Sequence, residues 1–286
     1  MQDGLRQLGL AEYPSGLAEI PEPPEQLHVR GALPPKGTKY LTVVGSRALT
    51  AYGRQACHKL IGGLAGYPVA IVSGLALGAD AEAHRAALGA GLHAVAFPGS
   101  GIADDAIAPR TNYGLAKEIL EKGGALVSEY EPDTRPAPWM FPERNRLMVG
   151  IADAVLMIEA GERSGTLITA RLAGEYNREL LAVPHRIGDV HGFGSHLFLR
   201  LGATLVTEPA HILEALRIPI ERPNGMQDVP TLEGSERKLY EMLEEPRPRD
   251  ELIRDSKLPA GEALTALVTL ELKGLAKEEF GSWRRL

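Results

Sequence analysis

From Tyr40 onward, short apolar runs alternate with longer amphipathic stretches, and this rhythm restricts the fold more than any other feature of the sequence. LTVVGS precedes AYGRQACHKLIGGLAG, VAIVSG precedes GADAEAHRAALGA, and HAVAFPG precedes NYGLAKEILEKG. ALVSEY, AVLMIEA, LLAVPH and TLVTE extend the series, separated by segments such as GTLITARLAGEYNRE and FGSHLFLRLGA. The runs have strand length and are rich in Val, Ile and Leu, which suits parallel strands covered on both faces. Right-handed crossovers then give a doubly wound sheet, whose ligands bind at the carboxyl ends of its strands. The expected fold class is α/β, a Rossmann-like and mainly parallel sheet over residues 37–216.

The flanks read differently. Residues 1–36 carry PEPPEQL and ALPP and show no clear period, so an extended lead-in packing on the sheet domain is expected. RIPIERPNGMQDVPT, after Leu216, reads as a linker over 217–231. Beyond it SERKLYEMLEE, RPRDELIRDSKL and GEALTALVTLELKGL have helical patterns, and AKEEFGSWRRL suits a short hairpin. Three short helices and a β-wing form a small C-terminal winged-helix domain over 232–286.

Composition narrows the functional classes. No run approaches the 18 or so apolar residues that cross a bilayer, and MQDGLRQLGL lacks the features of a secretory leader. One cysteine, Cys57, excludes an intramolecular disulfide framework and a cysteine-rich zinc site. A cytoplasmic protein without membrane contact is expected. The net charge of -6 argues against a broadly basic coat for nucleic acid, so any such site must be a local cluster of arginines.

Several strand-end loops have the chemistry of anion sites. The first strand ends in Gly45-Ser46-Arg47, where glycine admits a ligand to the backbone and Arg47 offers a fork of donors. A tight turn with a solvated arginine accounts for the same residues. The second strand ends in Ser73-Gly74, and Asp80 and His84 follow four residues apart on one helix face. Two such groups make no metal set, and hydrogen bonding at the helix start is the expected role of Asp80. The third ends in PGSG, with Arg110-Thr111-Asn112 beyond.

The segment Phe141-Pro142-Glu143-Arg144-Asn145-Arg146 sets two arginines around an asparagine, beside Trp139. Arginine forks hold phosphates and an aromatic face stacks a base, although a helix start with Arg paired to Glu143 explains the pattern too. Ser164-Gly165-Thr166 places small residues and free amides at another helix start, which suits an anion or simple capping. In a doubly wound sheet all these loops leave one edge, so Gly45–Arg47, Ser73–Gly74, Arg144–Arg146 and Ser164–Thr166 are expected to line one cleft. No Gly-x-Gly-x-x-Gly follows the first strand, and no Walker loop, His-Glu-x-x-His or Gly-x-Ser-x-Gly occurs. No cofactor or metal is expected.

Taken in order, these segments resemble the DNA-processing A (DprA/Smf) family. The resemblance rests on YPSGLAEIPEPPEQLHVRG, VVGSR, SGLALGAD with His84, PGSGIADD, PRTN, SEYEP, FPERNRLMVGIA and IEAGERSGTLITARLAGEYNRELLAVP. It implies an extended Rossmann-like fold, binding of single-stranded DNA, a homodimer, and loading of RecA recombinase during natural transformation, with no catalysis. It further implies contacts by Arg47, Ser73, Gly74, Phe141, Arg144, Asn145, Arg146, Ser164, Gly165 and Thr166, with Gly45 and Ser46 in the same turn. The chain departs from the pattern at Ala79 and at His185, which puts the shape of the loop after Pro184 in question. The additional N-terminal helical domain of many relatives is not expected in this chain.

Two other classes compete. Nucleotide phosphoribohydrolases of the lysine-decarboxylase-like (LOG) fold resemble this pattern but set a glutamate shortly after the Gly-Thr helix start. Here the next carboxylate is Glu175. A winged-helix regulator needs a basic reading face, whereas residues 233–286 hold 10 Lys/Arg against 12 Asp/Glu. That balance favours a protein-contact or regulatory role for the C-terminal domain.

Overall fold

The computed structural model describes residues 4–219, 232, 234–243, 246–273, 275–279 and 281–285. They fall in two units that divide after residue 220. The linker reading over 217–231 lies largely outside the described residues, from 220 onward.

The first unit is built on a nine-stranded sheet. Its strands are β1 (Leu5–Leu8), β2 (Leu27–Gly31), β3 (Lys39–Val44), β4 (Val69–Ser73), β5 (His93–Ala96), β6 (Ala125–Ser128), β7 (Ala154–Met157), β8 (Glu179–Ala182) and β9 (Thr204–Leu205). Their spatial order is β1-β2-β6-β5-β4-β3-β7-β8-β9. All pairings from β6 to β9 are parallel. β1 and β2 add an antiparallel edge, with Val29 opposite Val127. Residues 5–8 and 27–31, read from the sequence within an extended lead-in, are thus strands of the sheet. The prolines of PEPPEQ and ALPP bracket β2 instead of interrupting it, and β1 buries only Leu8, which leaves almost no pattern to read.

Helices α1 (Ser15–Ala18), α2 (Ala51–Gly62), α3 (Ala79–Gly89), α4 (Tyr113–Glu121), α5 (Met140–Glu143), α6 (Asn145–Ile151), α7 (Thr166–Glu175), α8 (Phe193–Arg200) and α9 (Pro209–Ala215) complete the unit. Alternate strand residues feed two cores, because successive side chains point to opposite faces. Leu41, Val43 and Ile71 meet α2, α3, α4 and α9 on one side. Val44, Val72 and Val155 meet α1, α6, α7 and α8 on the other. Each fully buried Val, Leu or Ile contributes about 1.5–3 kcal/mol, and both faces must be filled for this order to persist.

Strand order reverses between β3 and β7, which lie side by side with Val44 opposite Met157. The helix after β3 packs on one face and the helix after β7 on the other. Their loops therefore part at the carboxyl edge and leave a crevice, the switch point of a doubly wound sheet.

The second unit contains α10 (Gly234–Met242), β10 (Arg247–Pro248), α11 (Arg249–Ser256), α12 (Ala260–Leu272), β11 (Ala276–Glu279) and β12 (Ser282–Arg285). Its small sheet has the order β10-β12-β11. Leu239, Leu252, Leu267, Leu270 and Trp283 form its core. Three helices and a hairpin wing make it a winged helix, and the whole is of the α/β class expected. Among the described residues no helix is long and apolar enough to cross a membrane.

Candidate functional site

The crevice at the switch point is a cleft of about 650 Å³. The loop from β3 to α2 supplies one wall, and short hydrogen bonds hold it in place. Ser46 N donates to Glu159 O at 2.9 Å, and Ala79 N donates to Ser46 O at 3.0 Å. The Glu159 carboxylate, fully buried, accepts from Thr50 N and Thr50 Oγ1, each at 2.8 Å. Thr50 in turn caps α2 through Gly53 N at 3.0 Å. Gly45 is required by close approach, since a Cβ there would lie 2.6 Å from that of Ala79.

Nine of the twelve residues expected at the site line this one cleft: Gly45, Ser46, Arg47, Phe141, Arg144, Asn145, Ser164, Gly165 and Thr166. Arg47 is exposed, with Cζ 5.5 Å from the centroid of the Phe141 ring. That ring lies over Gly99, where a Cβ would come within 2.5 Å of Phe141 Cδ1. Opposite, Ser164 Oγ accepts from Thr166 N at 3.2 Å and donates to Thr166 Oγ1 at 2.9 Å, which fixes the start of α7. Helix starts attract anions through their free amides and dipole.

Arg144 is in the cleft in a different role from the phosphate fork expected of it. Its side chain is 5% exposed, with Nη1 donating to Phe97 O at 2.8 Å and Nη2 lying 3.4 Å from Asp80 Oδ2. Nε donates to Phe141 O at 3.3 Å. Burial draws its pKa below the usual guanidinium range, and Asp80 opposes that shift. With its donors on protein acceptors, Arg144 forms the cleft floor and ties the Phe141 segment to the sheet. Asp80 also accepts from Gly74 N at 3.1 Å and Ala76 N at 3.3 Å. It therefore organises the turn before α3 rather than capping the first amides of that helix.

Three expected residues do not line the cleft. Arg146 pairs with Glu129, whose burial raises its carboxyl pKa against the pull of that arginine. Ser73 is buried and donates to Val43 O at 2.7 Å. Gly74 leaves room for Arg144, because a Cβ there would overlap its guanidinium. His84 is fully buried; burial pushes its pKa down to about 3, against the opposing effect of a backbone hydrogen bond at Ser73.

Sequence reasoning passed over Arg163 and His191, which also line the cleft. Arg163 is exposed and, like Arg47, makes no ion pair among the described residues. Its signal was its place, directly before the helix cap on the loop from β7. His191 comes from the loop after β8, which His185 anchors by donating from Nε2 to Ile158 O at 3.0 Å and by an edge contact with Tyr52. Among the described lining residues the one carboxylate is Asp80, already held by Arg144.

This arrangement presents two unpaired guanidinium groups, an aromatic face and a helix start to one ligand. The family model for DNA recombination-mediator protein A matches residues 6–217, and that for the DprA winged helix domain matches residues 226–281. The chain belongs to the DprA/Smf family. It is 38% identical over 282 residues to Protein Smf of Escherichia coli (strain K12), covering 96% of this chain and 75% of that one. Among solved structures, DNA processing protein A of Streptococcus pneumoniae is similar with a TM-score of 0.69 and 36% identity, over 74% of this chain and 75% of that one. The DprA structure from Helicobacter pylori, described for its single-stranded DNA binding mode, matches with a TM-score of 0.64 and 28% identity. That match covers 74% of this chain and 95% of the other.

Proposed function

We propose that this DprA/Smf protein binds single-stranded DNA in the switch-point cleft and, as a homodimer, protects incoming strands and loads RecA recombinase onto them during natural transformation. One observation carries the reading. Arg47 and Arg163, both exposed and without acidic partners among the described residues, flank a cleft that also holds the Phe141 ring and the start of α7. Guanidinium groups neutralise phosphates, a ring face stacks an unpaired base, and helix-start amides fix the backbone. The Helicobacter pylori relative supports the choice of ligand.

The protein acts here as a binder in the cytoplasm, not as an enzyme. In the phosphoribohydrolase alternative a carboxylate must face the ligand. Glu175, the last residue of α7, is exposed and does not line the cleft, and Asp80 is committed to Arg144.

Equilibrium binding of an oligothymidine and of a matched duplex, across a salt series, tests the proposal. The expected result is preference for the single strand, weakened in Arg47→Ala with a salt slope reduced by about 0.7. Equal affinity for the duplex, or an unchanged slope in Arg47→Ala, overturns it. RecA assembly on the same oligonucleotide, with and without the protein, tests the loading step.

A further inference from the structure

We propose that Arg54, His58 and Arg85, gathered round the buried carboxylate of Glu82, form a second phosphate site that receives the backbone of a single strand as it leaves the cleft. The inference rests on the reading of the cleft given above and extends it along α2 and α3.

Glu82 is 8% exposed and holds three partners at once: Arg54 Nη1 at 3.0 Å, His58 Nε2 at 2.9 Å and Arg85 Nη1 at 2.7 Å. One arginine suffices to neutralise a carboxylate. Two arginines and a histidine leave a surplus of at least one positive charge on a chain whose net charge is -6. The three donors are 47–55% exposed, so their outer N–H groups face solvent while the carboxylate fixes their inner edge. A guanidinium has five N–H donors, and each arginine uses only Nη1 on Glu82. The remainder suit the two non-bridging oxygens of a phosphodiester. Neither arginine makes another ion pair among the described residues.

The position of the cluster ties it to the cleft. Arg54 N donates to Thr50 O at 3.0 Å and Glu82 N donates to Gly78 O at 3.0 Å, so each lies one helical turn from its loop. Those loops are the cleft rim. Gly78 sits directly against the carbonyls of Ser46 and Arg47, close enough that a Cβ could not be accommodated, and its φ of +75° also favours glycine. One turn spans about 6 Å, which sets the cluster a short step beyond Arg47. The dipoles of α2 and α3 add to the field, since Arg54 and Glu82 lie in their first turns. A strand passing from Arg47 across these two helix starts meets a second set of cations at Arg54 and Arg85.

Oligothymidines of about 5 and about 15 nucleotides distinguish the two sites. With Arg54→Gln/Arg85→Gln, the short oligomer is expected to bind as before. The long one is expected to bind at least about fivefold more weakly, with a salt slope lower by about 1.4 for two lost contacts. Arg85→Gln alone, which leaves Arg54 and His58 on Glu82, is expected to shift the long oligomer in the same direction by a smaller factor, and so covers a misfolded double variant. Unchanged affinity and slope for the long oligomer in folded variants overturn the second site, while loss of the short oligomer in Arg47→Ala still upholds the cleft. An Arg47→Ala protein that binds the short oligomer normally overturns the cleft reading and this inference with it.

Discussion

Gly74 and Arg144 occupy one another's space: the guanidinium lies where the Cβ of any other residue at position 74 would stand. Arg144 there donates to Phe97 O at 2.8 Å and lies against Asp80, so the cleft floor depends on a missing side chain. Gly74→Ala is expected to expel the guanidinium and leave Asp80 buried without its cation. Breaking a buried pair in this way costs about 3–5 kcal/mol. Urea denaturation followed by circular dichroism checks the loss; a change below about 1 kcal/mol contradicts the arrangement.

His84 makes stability depend on pH. Its ring is fully buried, and burial holds its pKa near 3, below the ordinary 6.5. The unfolded chain therefore binds a proton that the folded chain refuses between those two values. The contribution of neutral His84 is complete above about pH 6.5 and is lost as pH falls toward 3. In the window from about pH 6 to 4.5, before most carboxylates titrate, the unfolding free energy is expected to fall by about 1.4 kcal/mol per pH unit through this residue. His84→Asn removes the titrating group, and its denaturation midpoints should respond less to pH over that window. Parallel pH profiles for the two proteins refute the assignment.

The sheet was legible because its central strands are short runs dominated by apolar residues, and LTVV, VAIV and AVLM permit little else. The cleft followed from topology, since the loops after β3 and β7 diverge wherever strand order reverses. The separate roles of Arg144 and Arg146 were not legible. Both occur in FPERNR, yet Asp80 lies 64 residues from Arg144, and Glu129 lies 17 from Arg146. A residue type that suits phosphate also suits a buried carboxylate, and only the folded chain decides between them. β1 escaped notice for a related reason. An edge strand that buries one residue of four carries no period to detect.

Arg163 and Arg146 make opposite predictions for the same assay. Arg163 is exposed, unpaired among the described residues and in the cleft, so Arg163→Ala is expected to weaken oligothymidine binding and lower the salt slope by about 0.7. Arg146 lies beside Glu129 outside the cleft, so Arg146→Gln should bind within about twofold of the unaltered chain and lose stability instead. Fluorescence anisotropy with thermal melts on both variants separates the effects. Reversal of the two results means that the strand runs past Arg146 rather than Arg163.

Phe141 is assigned the stacking face because its ring stands beside Arg47 over Gly99. Phe141→Leu keeps apolar contact with that glycine but removes the flat face. The substitution is expected to weaken binding by about 1–3 kcal/mol while leaving the salt slope unchanged, since no charge is lost. A changed slope with intact affinity speaks against stacking.

The winged helix is expected to contribute little to strand affinity. In readers of duplex DNA built on this motif, one helix enters the major groove and carries basic side chains toward it. α12, the third helix of the unit, has Glu262 and Glu271 and no lysine or arginine. Its exposed apolar residues, Leu264, Val268 and Leu272, recur every four positions along one side. That surface repels phosphate more than it attracts it. A chain ending at residue 219 is therefore expected to retain oligothymidine binding within about threefold of the full chain, with the same salt slope. Loss of most affinity on that truncation, in a protein that still melts cooperatively, moves the DNA site to the C-terminal unit.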